Sequence, residues 1–214
     1  MTAALVIENI QLSENTFRLR TERTPHPIRA GQCFSIGTAD LGINREYSMY
    51  SSAHDAYVDF LIRKIDDGVV SSRLASCKPG DSVEISGPFG EFCLSESDVL
   101  TRNFVFIASG TGIAPFHSFV KTFPTLRYLL LHGIRHDDEQ YDATDYKIGS
   151  YIPAVSRSKR KETRGRVTDF LHTIDLPDNS LFYLCGNQKM IVDAIDVLRI
   201  RGIAGGSIFT ETFF

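Results

Sequence analysis

Little in this 214-residue sequence suggests a covalent staple, a membrane span or a charged scaffold. The four cysteines, Cys33, Cys77, Cys93 and Cys185, stand far apart, with no Cys-x-x-Cys pair. Iron–sulfur clusters and structural zinc sites draw their ligands from short spacings, so neither is expected, and no metal site is assigned. In a reducing compartment disulfides are not expected either, and most of these residues read as small buried hydrophobes. No apolar run reaches the length of a bilayer. The first twenty residues lack the basic and long apolar regions of a signal peptide, so a cytoplasmic location is expected. Neither sign of charge dominates: 23 Lys and Arg against 26 Asp and Glu leave a net charge of −3. That balance argues against nucleic acid or a membrane surface as partner. Internal repeats and low-complexity segments are also missing.

What is present is ordinary globular composition, 43% hydrophobic and 23% charged, in a chain long enough for two small domains. Two halves read differently. Up to residue 97, short apolar runs at 33–36, 57–62 and 82–85 lie between the turn signals Ala30-Gly31, Asp66-Asp67-Gly68 and Lys78-Pro79-Gly80. Short strands at that spacing predict an antiparallel sandwich or barrel, with a short helix at 69–76. From residue 98 the rhythm changes to strand and helix in alternation. Strands are expected at 103–108, 127–132, 151–156 and 181–185, and helices at 114–122, from 167 and at 190–201. That order predicts a parallel sheet covered by helices. The expected domains are therefore 1–97 and 98–214.

Several short motifs carry possible chemistry, each with a plainer alternative. In Arg45-Glu46-Tyr47-Ser48, Arg45 offers a fixed-charge fork for phosphate, Tyr47 a flat face for a ring, and Ser48 a hydroxyl. In a regular strand Ser48 points away from the other two, and an ordinary half-exposed strand is the simpler reading. Gly68, Val70 and Ser71 open a helix whose free N–H groups suit a pyrophosphate, or merely cap it. Gly110, Thr111 and Gly112 follow an apolar strand and precede a helix, with Pro115 fitting its first turn. Such a loop lets backbone approach a phosphate closely. It is not the dinucleotide fingerprint Gly-x-Gly-x-x-Gly, because Pro115 stands at the third glycine, and a tight turn remains the alternative. The segment 151–166 crowds Arg157, Lys159, Arg160, Lys161, Arg164 and Arg166 beside a single acid, Glu162. It reads as a solvated loop, except that Ser156 and Arg157 follow a strand end, where arginine suits a 2′-phosphate. Cys185 and Gly186 fall at another strand end, where α/β sheets bind ligands. Phe213 and Phe214 are costly to leave exposed and are expected to dock.

In order and spacing these motifs resemble the ferredoxin–NADP reductase family, including the bacterial ferredoxin/flavodoxin reductases, from Arg45 to Phe214. The resemblance implies an FAD-binding antiparallel β-barrel followed by an NADP-binding α/β domain. It implies that Arg45 meets the flavin phosphate, Tyr47 packs on the isoalloxazine and Ser48 bonds near N5, with Gly68, Val70 and Ser71 at the FAD pyrophosphate. Gly110, Thr111 and Gly112 are then the NADP pyrophosphate loop. Arg135, Ser156, Arg157 and Arg166 fall to the 2′-phosphate side, and Cys185 and Gly186 lie beside the nicotinamide. Glu211 matches the family's C-terminal acid, Phe213 the aromatic that covers the flavin, and Phe214 an aromatic that stacks on adenine. Ser48, Cys185, Glu211 and Phe213 become the catalytic candidates.

The implied activity is hydride transfer from NADPH to FAD and single-electron exchange with ferredoxin or flavodoxin. The basic residues of 151–166, or Arg18, Arg20 and Arg23, are available to meet such an acidic carrier. A monomer is expected. The alternatives are an NAD(P)H-dependent flavin reductase, the reductase component of an oxygenase, a non-catalytic FAD-holding subunit and a nucleotide sensor. The chain departs from the family in its shorter length, in lacking a ferredoxin module, and in its phenylalanines where tyrosine or tryptophan is usual.

Overall fold

The computed structural model describes residues 2–213. By internal contacts the chain divides into two compact units. One comprises the residues up to Cys93 with Ala114–Thr122, and the other comprises Leu94–Ile113 with the residues from Phe123 onward.

The first unit is built on β1 (Thr2–Ser13), β2 (Thr16–Glu22), β3 (Cys33–Gly37), β4 (Asn44–Ser48), β5 (Tyr57–Arg63) and β6 (Ser82–Phe89). They form one six-stranded sheet in the order β4-β3-β6-β1-β2-β5, and every pairing is antiparallel. The two outer strands meet. Just past β4, Met49 bridges Phe60 of β5, and the Tyr50 N–H donates to the Asp59 carbonyl at 2.7 Å. Closure removes the exposed edges that an open sheet would carry. Period-two alternation sends Phe17 and Leu19, Phe34 and Ile36, and Val83 and Ile85 inward, and all are buried. Phe34 and Phe60 meet edge to face at 5.6 Å. β5 is buried continuously from Val58 to Ile62, Asp59 included. Asp59 tolerates burial because Arg20 donates to both its oxygens, at 2.7 and 2.9 Å, while lying 3.7 Å over the Tyr57 ring. A short helix, α1 (Val69–Ala75), follows β5, and α3 (Ala114–Thr122) also packs in this unit. There Thr122 Oγ1 accepts from Ala53 N at 2.9 Å, and His117 stacks on Tyr50 at 3.8 Å.

The second unit holds β7 (Asn103–Ser109), β8 (Tyr128–Ile134), β9 (Tyr151–Val155), β10 (Ser180–Asn187) and β11 (Ile208–Phe213). The order is β11-β10-β7-β8-β9, parallel throughout. Val105 and Ile107 of β7 face the same core as Val167 and Leu171 of α4 (Val167–Thr173). Ile191, Ala194, Val197 and Leu198 of α5 (Gln188–Ile200) join it at helical spacing. The intervening β7 residues, Phe104 and Phe106, carry rings that meet each other and Tyr183 on the opposite face.

The expected elements are present with ends displaced by at most four residues, and the helix at Ala114–Thr122 matches residue for residue. Elements not anticipated include α2 (Glu96–Thr101) and β11. The first is capped by Ser95 Oγ, which accepts from Asp98 N at 3.1 Å. β11 occupies the segment from which only docking aromatics were expected. No described helix is long and apolar enough to cross a membrane.

Candidate active site

In the second sheet β7 is flanked by β8 on one side and β10 on the other, so the chain direction across the sheet reverses there. The crevice at such a reversal, beyond the carboxyl ends of the strands, is where α/β sheets hold ligands. The loop leaving β7, Gly110–Ile113, is a turn of 3-10 helix running directly into α3. It packs against the end of β10 with no side chain between. A Cβ on Gly112 would collide with the Cys185 carbonyl, and one on Gly186 would lie 2.8 Å from the Ser109 carbonyl. Ser109 Oγ ties the two strand ends by accepting from Asn187 N at 2.9 Å. Glycine at 112 and 186 is what permits this approach. The structure thus gathers Gly110, Thr111, Gly112, Cys185 and Gly186 at one place.

A second gathering lies at the end of β9. Val155 N donates to Thr163 O at 2.7 Å, and its carbonyl accepts from Gly165 N at 3.3 Å, so the basic loop folds back beside the strand. That fold-back brings together side chains seven to ten positions apart. Arg135, Ser156, Arg157 and Arg166 line one pocket with Arg164, Gly165 and Asp169. All four arginines are exposed, and none has an acid salt-bridge partner among the described residues. Asp169 is turned to its own helix start, where Oδ2 accepts from Arg166 N at 2.8 Å. Buried Ser158 braces the loop from beneath, donating to the Asp137 carboxylate at 3.1 Å and accepting from Arg160 N at 3.0 Å. In the sequence Arg164 and Ser158 are indistinguishable from the rest of a solvated basic run. Their roles depend on the two Val155 hydrogen bonds, which leave no local pattern.

In the barrel, Arg45 and Tyr47 share a face of β4. Arg45 is exposed, and its Nη1 donates to the Asn44 carbonyl at 2.9 Å. Tyr47 is half-buried, and desolvation pushes its hydroxyl up to about 12, so it stays a neutral ring with a donor. The β3 ladder runs through Arg45, Tyr47 and Ser48 without a register shift, so no bulge turns buried Ser48 toward the other two. At the start of α1, Ser71 is occupied within its own turn. Its Oγ accepts from Ile65 N at 3.2 Å and donates to Gly68 O at 3.4 Å. Gly68 is needed for closeness, because a Cβ there would lie 2.6 Å from that hydroxyl. Val70 is buried, leaving first-turn backbone N–H groups as what this segment offers a ligand. Arg18 and Arg20 are paired with Glu8 and Asp59, and Arg23 donates to the Asp55 carbonyl at 2.8 Å. These three are therefore engaged inside their own barrel.

Cys185 and Glu211 face each other across β10 and β11, with the thiol donating to Oε2 at 3.7 Å. Burial, with the carboxylate beside it, pushes the Cys185 thiol well above its ordinary range, so it is a thiol at neutral pH. Phe213 is half-buried opposite Asn187 at the end of β11. Phe214 lies outside the described residues.

Residues 3–93 match the family model of the oxidoreductase FAD-binding domain, and residues 106–196 that of the oxidoreductase NAD-binding domain. The chain is similar to the toluate 1,2-dioxygenase electron transfer component of Pseudomonas putida, 30% identical over 97% of this chain and 66% of that protein. It is 26% identical to the reductase component of an aromatic O-demethylase from Amycolatopsis, over 98% of this chain and 68% of that protein. The chain thus spans about two thirds of the length of these relatives. A ferredoxin NADP+ reductase from Neisseria gonorrhoeae, solved with FAD and NADP, shares the fold at a TM-score of 0.85 and 21% identity, covering 100% of this chain and 98% of that one. A cytochrome P450 reductase from Amycolatopsis gives 0.86 at 26% identity, covering 99% and 69%. With a closed antiparallel FAD-binding sheet followed by a parallel nucleotide-binding sheet, the chain belongs to the ferredoxin–NADP reductase family of FAD- and NAD-binding oxidoreductases.

Proposed function

We propose that the protein takes hydride from NADPH onto bound FAD and passes electrons singly to ferredoxin or flavodoxin. The observation that carries the choice of NADPH is the arginine-lined pocket at the end of β9. A dianionic 2′-phosphate suits several fixed-charge forks, whereas an unmodified ribose has no use for them. Both cofactors fit the residues present. The close backbone packing at Gly112 and Gly186 holds the Gly110–Ile113 turn at the strand ends, where a pyrophosphate would meet backbone N–H groups. Arg45 and Tyr47 on one face suit a phosphate and a ring.

When bound, FAD would supply the hydride-accepting ring and the change from two-electron to one-electron chemistry. The chain's own contribution is positioning. Arg157 and Ser156 hold the 2′-phosphate, with Arg135, Arg164 and Arg166 adding charge. Thr111 and its neighbours present N–H groups to the pyrophosphate. Cys185, kept protonated by burial and by the neighbouring Glu211 carboxylate, leaves the nicotinamide side of the strand end without a thiolate charge. Arg45 binds the flavin phosphate and Tyr47 its ring, while the start of α1 serves the FAD pyrophosphate. Ser48 and Glu211 handle the accompanying proton, and Phe213 supplies a flat face over the flavin ring.

A second reading, the reductase component of an oxygenase, is favoured by the dioxygenase electron transfer component and the O-demethylase reductase subunit, similar at 30% and 26% identity. The test is to supply NADPH with ferredoxin, flavodoxin or free FAD in turn. Rapid reduction of a carrier protein with flavin retained supports the first reading. Turnover of free flavin alone, or of no acceptor without an added oxygenase, replaces it.

A further inference from the structure

The buried histidine of β8 is used by none of the steps above. His132 is fully buried and sits opposite Ala108 of β7 and Pro153 of β9. Its Nε2 lies 2.8 Å from the Gly110 carbonyl, which can only accept, so Nε2 carries the hydrogen. Burial pushes the imidazole down to about 4, and it is neutral at physiological pH. The other nitrogen, Nδ1, is therefore an acceptor, and the Tyr151 hydroxyl, 3.0 Å away on β9, donates to it. Tyr151 is itself held by a stack on Tyr146, with centroids 4.9 Å apart. Three neighbouring strands thus converge on one carbonyl.

In a trans peptide the C=O and the following N–H point in opposite directions. A Gly110 carbonyl drawn toward His132 aims the Thr111 N–H away from that side chain. We propose that His132 is the positioning residue of the nucleotide loop, fixing the Gly110–Thr111 peptide so that its N–H faces the pyrophosphate, and that Tyr151 selects the tautomer able to do so. The inference rests on the reading of Gly110–Ile113 as a pyrophosphate loop.

The test compares dissociation constants of the flavin-loaded protein for NADPH, NADH and adenosine 2′-phosphate, which keeps the 2′-phosphate but lacks the pyrophosphate. His132→Phe should weaken NADPH and NADH alike by about tenfold, the scale of one hydrogen bond and its reorganised loop, and leave adenosine 2′-phosphate within about twofold. His132→Gln, which keeps an N–H donor, should recover most of the loss. If His132→Phe does not fold, Tyr151→Phe carries the same test, with an expected loss of about threefold. Equal weakening of all three ligands, or of none, overturns the proposal. A wild-type protein that binds NADPH no more tightly than adenosine 2′-phosphate overturns the loop reading and this inference together. A wild-type gain from the pyrophosphate half that both variants retain overturns the inference alone.

Discussion

Replacing Arg157 by alanine removes one guanidinium from the pocket at the end of β9 and leaves the backbone hydrogen bond from residue 157 to the Arg135 carbonyl in place. A charge-assisted hydrogen bond contributes about 1.5–3 kcal/mol when well shielded. Arg157 is exposed, so solvent screening brings the expected value to about 1–1.5 kcal/mol. At about 1.4 kcal/mol per decade, KM for NADPH should rise roughly five- to tenfold, with kcat nearly unchanged because the contact is remote from the reacting atoms. NADH lacks the 2′-phosphate and should be affected by less than about twofold. Arg157→Ala/Arg166→Ala should lose less than the product of the single effects, since both arginines address one phosphate. Steady-state assays with an artificial acceptor at two salt concentrations give all of these values, and the NADPH effect should shrink at high salt. Equal losses with both nucleotides, or a loss in kcat alone, would refute the assignment of this pocket.

Other expectations follow from the same geometry. Gly112→Ala drives a methyl group into the Cys185 carbonyl and should cost about 1–3 kcal/mol through forced backbone movement; an unchanged thermal midpoint and nucleotide affinity would show that the close approach is dispensable. Because burial keeps Cys185 protonated, iodoacetamide near pH 8 should label the half-exposed Cys33 and Cys93 first and spare Cys185 in peptide maps; early labelling of Cys185 would contradict its burial. His132 titrates near 4 in the fold and near 6.5 when unfolded. The unfolded chain binds the extra proton between those values, so this contribution is complete above about pH 6.5 and declines toward pH 4, by about 3 kcal/mol at most. His132→Gln should flatten the dependence of the thermal midpoint on pH in that window, and an undiminished slope would place the acid sensitivity elsewhere.

Much of the architecture is legible because local and global preferences agree. α3 is read to the residue since Pro115 fits only a first turn and the apolar spacing persists to Thr122. The strands leading to Gly110 and Gly186 announce themselves by apolar runs ending in glycine. β11 is hidden because its ladder comes from β10, more than twenty residues away, while its own sequence alternates only weakly. The site is legible where chemistry is concentrated in one residue type. Arg157 following a strand end is an example. It is illegible where a contact is made by folding back. Arg164 reaches the pocket only because Val155 bonds to both Thr163 and Gly165. His132 lies within an expected strand and offers no motif, since its meaning comes from Gly110 and Tyr151 on two other segments. Ser71 looks available for a phosphate, but the sequence does not reveal that its hydroxyl closes its own turn.

The proposed activity requires transfer of reducing equivalents from NADPH to a flavin held by this chain. It is tested most directly by anaerobic titration of the purified protein with NADPH, and with NADH in a parallel sample, following the visible flavin spectrum. A yellow protein bleached at far lower NADPH than NADH is expected. A protein that stays colourless after FAD is added, or keeps its flavin band with either nucleotide, would contradict that activity.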